Sequence, residues 1–325
     1  MTFRIALASA AIAALTLTAC GAPSSGDAGG EGPTVVTSFY PLQWATEQVV
    51  GDSGATVEVL TKPGVDAHGM ELSPRQIASL SAADLVVYLH GLQPEVDGVI
   101  PSAGAASVLD VAEVVNLAPI ADGHNHDHGE EGHAEDEHAD DEHSADDGHD
   151  HGDFDPHFWL DTERMSAAVE AIAAHLSDTN PAGAETYRAN AEATVAELTK
   201  LDQEYRAGLA KCERREFVTT HAAFQYLAQR YDLEEIGISG INPDGEASPA
   251  RIAEIHDEAQ RHGVTTIFFE TLTSDAVARS IAGDLGLKTA VLDPLEGVSD
   301  KSPGTDYPSI MRANLEALRS ANDCQ

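Results

Sequence analysis

Basic side chains are scarce: the 325 residues include 18 Lys and Arg against 55 Asp and Glu, a formal charge of −37. Such a balance argues against nucleic acid or an anionic membrane surface as a partner and suits cations. Fifteen of the acids fall between Asp122 and Asp155, and the remainder still carries −22, so the folded part is acidic too. For that remainder, simple solubility is an equally good explanation. Also missing are a His-Glu-x-x-His helix, a Gly-x-Ser-x-Gly elbow and a phosphate-binding glycine loop, which leaves an enzyme reading without a motif. Beyond the first 20 residues no apolar run is long enough to span a bilayer. There are only 3 cysteines, Cys20, Cys212 and Cys324.

The amino end reads Arg4, an apolar run from Ile5 to Leu17, then Leu17-Thr18-Ala19-Cys20-Gly21. One positive charge, a short apolar stretch and small residues at its end describe a secretory signal over residues 1–19. Leu-Thr-Ala-Cys resembles the lipobox of bacterial lipoproteins, which makes Cys20 the expected lipid attachment point; an ordinary cleaved signal with a chance cysteine is the alternative. Residues 20–32, rich in Gly, Ser, Ala, Pro and acid, read as a flexible tether. The chain is thus expected outside the cytoplasm, lipid-anchored to the bacterial cell membrane.

Eight of the 15 histidines, His124, His126, His128, His133, His138, His143, His149 and His151, sit in an acidic tract without Lys or Arg. That composition cannot build a core, and its neutral imidazoles and hard oxygens suit weak binding of divalent metal. A tolerated insertion without a role is the plainer alternative. Apolar residues return at Phe154, and His157 is placed in an ordered context by Pro156, Phe158 and Trp159.

Before the tract, Thr34–Phe39, Thr56–Leu60, Leu85–Leu89 and Val108–Val115 read as strands, with a helix over Pro41–Val50 and another from Pro74 to about Leu80, capped by Ser73. His68 lies in the loop after the second strand. Thr162–Leu176 reads as a helix, and after Asn180-Pro181 a second runs to about Ala210. Its stripe Tyr187, Ala191, Val195, Leu198, Leu201, Tyr205 and Leu209 steps by three and four, and about 30 residues make a rod of roughly 45 Å. Such a rod joins two domains stiffly and predicts little hinge closure. The second half alternates again: Glu216–Thr220, Ala222–Tyr231, Leu233–Ile238, Ser248–His262, Thr265–Phe269, Ser274–Leu285, Leu287–Leu292 and Tyr307–Ser320. Alternation of this kind predicts parallel α/β sheets, with an N-terminal lobe over 33–178 (tract 122–153), a linking helix over 179–211 and a C-terminal lobe over 212–325.

In open α/β sheets ligands bind beyond the carboxyl ends of strands, which singles out His68, His221, Glu270 and Asp293. His90, His175, His256 and His262 are left as structural or surface residues. At this point the chain resembles the ZnuA-like zinc and manganese ABC-transporter solute-binding lipoproteins. The resemblance runs from about Thr34 to Ser320. It is carried by Asp66-Ala67-His68 with Ser73-Pro74, Asp155-Pro156-His157-Phe158-Trp159-Leu160-Asp161, Thr220-His221-Ala222-Ala223-Phe224-Gln225-Tyr226-Leu227, Ile267-Phe268-Phe269-Glu270 and Leu292-Asp293-Pro294-Leu295. It implies one metal in a cleft between two small parallel-sheet lobes, held by His68, His157, His221 and Asp293, with Glu270 behind them. It also implies that His124 to His151 correspond to the His- and acid-rich insertion of zinc-selective members. Ala67 and Thr162 stand where the family often has Pro, and neither change removes a ligand.

Manganese members carry Glu where His221 stands; three imidazoles and one carboxylate make the borderline-soft tetrahedral set that suits zinc. The resemblance therefore implies a monomeric extracytoplasmic protein with one tight Zn(II) site and weaker sites in the tract, delivering Zn(II) to the permease and ATPase of an ABC importer. A manganese-preferring member, or a metal-binding adhesin or storage lipoprotein without a transport role, is the alternative. A metalloenzyme with Glu270 as general base is the rival from another class, but a filled tetrahedron leaves no open position for substrate. Cys212 and Cys324 are expected to pair in an oxidising exterior, with free buried thiols as the alternative.

Overall fold

The computed structural model describes residues 32–120, 154–245 and 247–325. The expected signal, Cys20, nearly all of the tether and the eight tract histidines lie outside the described residues. The first half runs β1 (Thr34–Thr37), α1 (Tyr40–Val50), β2 (Thr56–Val59), α2 (Pro74–Ala82), β3 (Leu85–Tyr88), α3 (Pro94–Ala103), β4 (Val108–Asp110) and α4 (Ala112–Val115). Two long helices follow, α5 (Thr162–Thr179) and α6 (Ala184–Leu209). The second half runs β5 (Glu216–Thr219), α7 (Gln225–Arg230), β6 (Glu234–Gly237), α8 (Pro249–His262), β7 (Thr266–Phe269), α9 (Ala276–Leu285), β8 (Lys288–Val291) and α10 (Tyr307–Ala321). The strands form two four-stranded sheets of order β2-β1-β3-β4 and β6-β5-β7-β8, parallel throughout. Both halves thus repeat one strand order, and both reverse direction beside their first strand, which opens a crevice at the carboxyl edge.

Local chemistry explains most element ends. Ser73 caps α2 in a reciprocal box with Gln76, with Pro74 at the first helical position. Asp161 caps α5 by accepting the amides of Glu163 and Arg164, so Thr162 fills the first helical position where proline is frequent. The structure shortens two expectations. The strand expected over Val108–Val115 stops at Asp110, whose Oδ1 accepts the Ala112 amide at 3.0 Å and starts the one-turn α4. The helix expected from Ala222 starts only at Gln225, because the chain bends at 221–222, where the Ala222 amide donates to the Gly240 carbonyl at 3.0 Å.

Helix α6 is 26 residues long, about 39 Å. Its buried stripe is Ala184, Tyr187, Ala191, Thr194, Leu198, Leu201, Tyr205 and Leu209, with Thr194 in place of the expected Val195. It packs along α5, against α1 of the first half and against α10 of the second. One apolar core runs through these helices from Val35 to Ala321. Stacked rings stiffen it: Trp44 on Tyr307 at 4.6 Å and Tyr205 on Tyr231 at 4.8 Å between centroids. Arg230 ties α7 to α5 and α6 through Asp161, Glu163 and Asp202. The structure also joins Cys212, just after α6, to Cys324, just after α10.

Candidate metal centre

Four buried donors converge at the carboxyl edges of the sheets: His68, His157, His221 and Glu296, whose ligand atoms all lie within 4.8 Å of one another. His68 comes from the loop after β2, His157 from the segment before α5, His221 from the end of β5 and Glu296 from the loop after β8. One oxygen of Glu296 sits 3.4, 3.1 and 3.2 Å from the Nε2 atoms of His68, His157 and His221. Donors about 2.0–2.1 Å from a tetrahedral zinc stand about 3.4 Å apart, so these carboxylate-to-imidazole spacings would suit a coordination shell.

Each element aims its side chain by a further contact. Asp155 Oδ1 accepts both the His157 amide at 2.9 Å and its Nδ1–H at 2.8 Å, which leaves Nε2 facing the centre. Glu270 Oε1 lies 2.6 Å from His221 Nδ1 and accepts the Thr220 hydroxyl at 2.6 Å, which does the same for His221. Asp66 Oδ1 accepts the His68 amide at 2.8 Å. The Tyr226 hydroxyl donates to the Asp155 carbonyl at 2.6 Å, so α7 of the second half braces the segment that carries His157. Trp159, fully buried with its ring 5.2 Å from that of His157, covers one side of the site. Gly64 N donates to Val298 O at 3.0 Å, which joins the loop of His68 to the loop of Glu296.

Of the residues expected from the sequence, the structure brings His68, His157 and His221 together, with Glu270 behind His221. It does not bring Asp293 into the group. Asp293 is 1 % exposed, and its oxygens accept the Leu295 amide and the Thr271 hydroxyl, both at 2.9 Å. Glu296, three residues on, takes the fourth place. Its signal in the sequence was a second acid in the same short loop, followed by Gly297. Asp155 is the other missed residue, although it lies in the motif around His157. His90, His175, His256 and His262 stand outside the group.

Electrostatics follow from this crowding. Burial pushes the His157 imidazole down, but Asp155 and Glu296 outweigh it and hold its pKa up at about 9. Burial acts the same way on His221, and Glu270 with Glu296 raises it well above the usual histidine range. Burial would raise Glu296, yet the three imidazoles hold it well below the carboxylate range. Burial, then the Glu296 charge, pushes the Asp66 carboxyl up to about 8. The raised pKa of His157 stabilises the metal-free fold fully below its unfolded value of about 6.5, and that contribution disappears as pH rises through about 9; the raised His221 acts in the same direction. The melting temperature of the metal-free protein is therefore expected to fall between pH 7 and pH 9.5. Zinc requires neutral imidazoles, so its affinity should climb about tenfold per pH unit for each proton displaced, between about pH 6.5 and 8.5. Calorimetric titration in buffers of different protonation heat measures both quantities; no proton release at pH 7 would contradict the charged imidazoles.

Two sheets of one topology, with a buried three-histidine, one-carboxylate group at their carboxyl edges, define a metal-binding α/β protein of the solute-binding type. The family model described as "Zinc-uptake complex component A periplasmic" matches residues 35–321, and the chain belongs to that family. It is similar to the zinc-binding protein AdcA of Streptococcus pyogenes serotype M3, 39 % identical over 293 residues, covering 89 % of this chain and 56 % of AdcA. It thus spans little more than half the length of that relative. The high-affinity zinc uptake system protein ZnuA of Bacillus subtilis is 36 % identical, with 94 % of each chain covered. Among solved structures, the Zn(II)-bound ZnuA-like domain of Streptococcus pneumoniae AdcA superposes with a TM-score of 0.70 at 32 % identity, covering 90 % of this chain and 99 % of that one. Among the described residues no helix is long and apolar enough to cross a membrane.

Proposed function

We propose that this chain captures Zn(II) outside the cytoplasm and delivers it to the permease and ATPase of an ABC importer, holding the ion through His68, His157, His221 and Glu296. The convergence of these four buried donors carries the reading. Three imidazoles and one carboxylate match the preference of zinc for a four-coordinate nitrogen and oxygen shell, whereas manganese favours more oxygens. These four donors would fill all four tetrahedral positions, which suits retention rather than catalysis. The zinc-related names of AdcA and ZnuA support the choice of ion. A lipid anchor at Cys20 would keep the protein near its transporter, and the composition of residues 122–153 supports weaker auxiliary sites.

Competitive titration of zinc against manganese on the purified protein tests the proposal. Zinc is expected to win by at least about a hundredfold, and His221→Ala should remove most of that margin. Preference for manganese, or zinc binding no tighter than that of the His221→Ala variant, would overturn it.

A further inference from the structure

Asp293 sits at the carboxyl end of β8, beside the four-donor group but outside it. Everything around it serves to fix one short loop. Asn314 on α10 clamps its backbone, accepting the Asp293 amide at 2.9 Å and donating to its carbonyl at 2.7 Å. The Trp159 indole donates to the Pro294 carbonyl at 2.7 Å. Leu295, fully buried, then adopts φ 62°, a left-handed conformation that a side chain disfavours and that persists only where the surroundings enforce it. The next side chain is Glu296. At Gly297 a Cβ would stand 3.0 Å from the Val65 carbonyl oxygen and 3.2 Å from Leu272, so the loop passes tightly against its neighbours there. The direction in which Glu296 leaves the chain therefore depends on the turn at Leu295. The side chain that reaches across that turn is Asp293, whose Oδ1 accepts the Leu295 amide while its Oδ2 is held by the Thr271 hydroxyl.

We propose that Asp293 is the positioning residue for Glu296: by accepting the Leu295 amide and the Thr271 hydroxyl together, it keeps Leu295 left-handed and aims the Glu296 carboxylate at the three imidazoles. This rests on the proposal that Glu296 is the fourth zinc ligand. Asp293 makes no bond to the ion and acts only through the loop. Its anchor, Thr271, follows Glu270 in the chain, the residue that orients His221. The loops behind two of the four donors are thereby fastened to each other.

A double-mutant cycle read by chelator competition for zinc tests the assignment. Asp293→Ala is expected to lower zinc affinity about 10–100-fold when Glu296 is present, the usual effect of removing an outer support of a metal ligand. In a Glu296→Ala background the same change should cost less than about twofold. Asp293→Asn, which keeps an acceptor for the Leu295 amide, should recover most of the loss. Equal losses in both backgrounds would overturn the proposal, since Asp293 would then act independently of Glu296. If Asp293→Ala does not fold, Thr271→Val enters the same cycle, where a loss confined to the Glu296 background supports the assignment and an equal loss in both overturns it. Failure of the parent protein to bind zinc tightly would sink the ligand set itself, a result separate from either outcome of the cycle.

Discussion

His157→Ala is expected to lower zinc affinity by about 1,000-fold, about 4 kcal/mol, in chelator competition. The loss exceeds that of a single exposed ligand because His157 and Asp155 are both fully buried and bonded at 2.8 Å. Removing the imidazole deletes a donor that Asp155 holds in place from behind, whereas the carboxylate left without its ring partner is a cost to the fold with or without zinc. The metal-free variant should melt lower as well, since the raised pKa of His157 marks a favourable pairing in the fold. His90→Ala is the control: that side chain is 67 % exposed, and its loss should leave affinity unchanged. A drop of less than tenfold for His157→Ala would remove this residue from the shell.

Replacing both Cys212 and Cys324 by Ser is expected to cost about 3 kcal/mol of stability, lowering the melting temperature by about 6 °C. The bridge links residues 112 apart in sequence, and a cross-link over so long a stretch mainly restricts the unfolded chain. The folded ends stay stitched without it: Asn322 O accepts the Glu213 and Arg214 amides at 3.0 and 3.2 Å, and Gln325 N donates to Lys211 O at 2.9 Å. Zinc affinity should remain within about twofold, because Cys212 precedes β5 whereas His221 follows it, at the opposite edge of the sheet. Thermal melts with and without reductant on the parent, compared with the double variant, check the value. Identical melts in all three would mean that the bridge adds nothing to stability.

Much of this architecture can be read from the chain. Short β-branched runs separated by amphipathic helices lead to parallel sheets, and capping signals such as Ser73-Pro74 lie where α2 begins. His68 and His221 follow strands, where ligands are expected. The fourth donor could not be reached in that way. Asp293 is adjacent to its strand, so the same rule selects it, whereas Glu296 reaches the centre only through the left-handed turn at Leu295, which no residue type announces. A glycine there would have hinted at the turn. Helix α3 was equally hidden, since Pro101 falls inside it and breaks the expected pattern. The over-long strand at Val108 has a similar cause, because an apolar run shows burial without showing where pairing stops.

Gly64 and Val298 join two loops that come from opposite halves of the chain, and each half contributes two of the four donors. A bidentate fragment would hold an ion only weakly; with zinc bound as proposed, tenacity would arise from the high effective concentration that one half presents to the other. Under that proposal, loosening either half would convert a chelate into two poor grips, so that an ion would be either locked in or let go, with little in between.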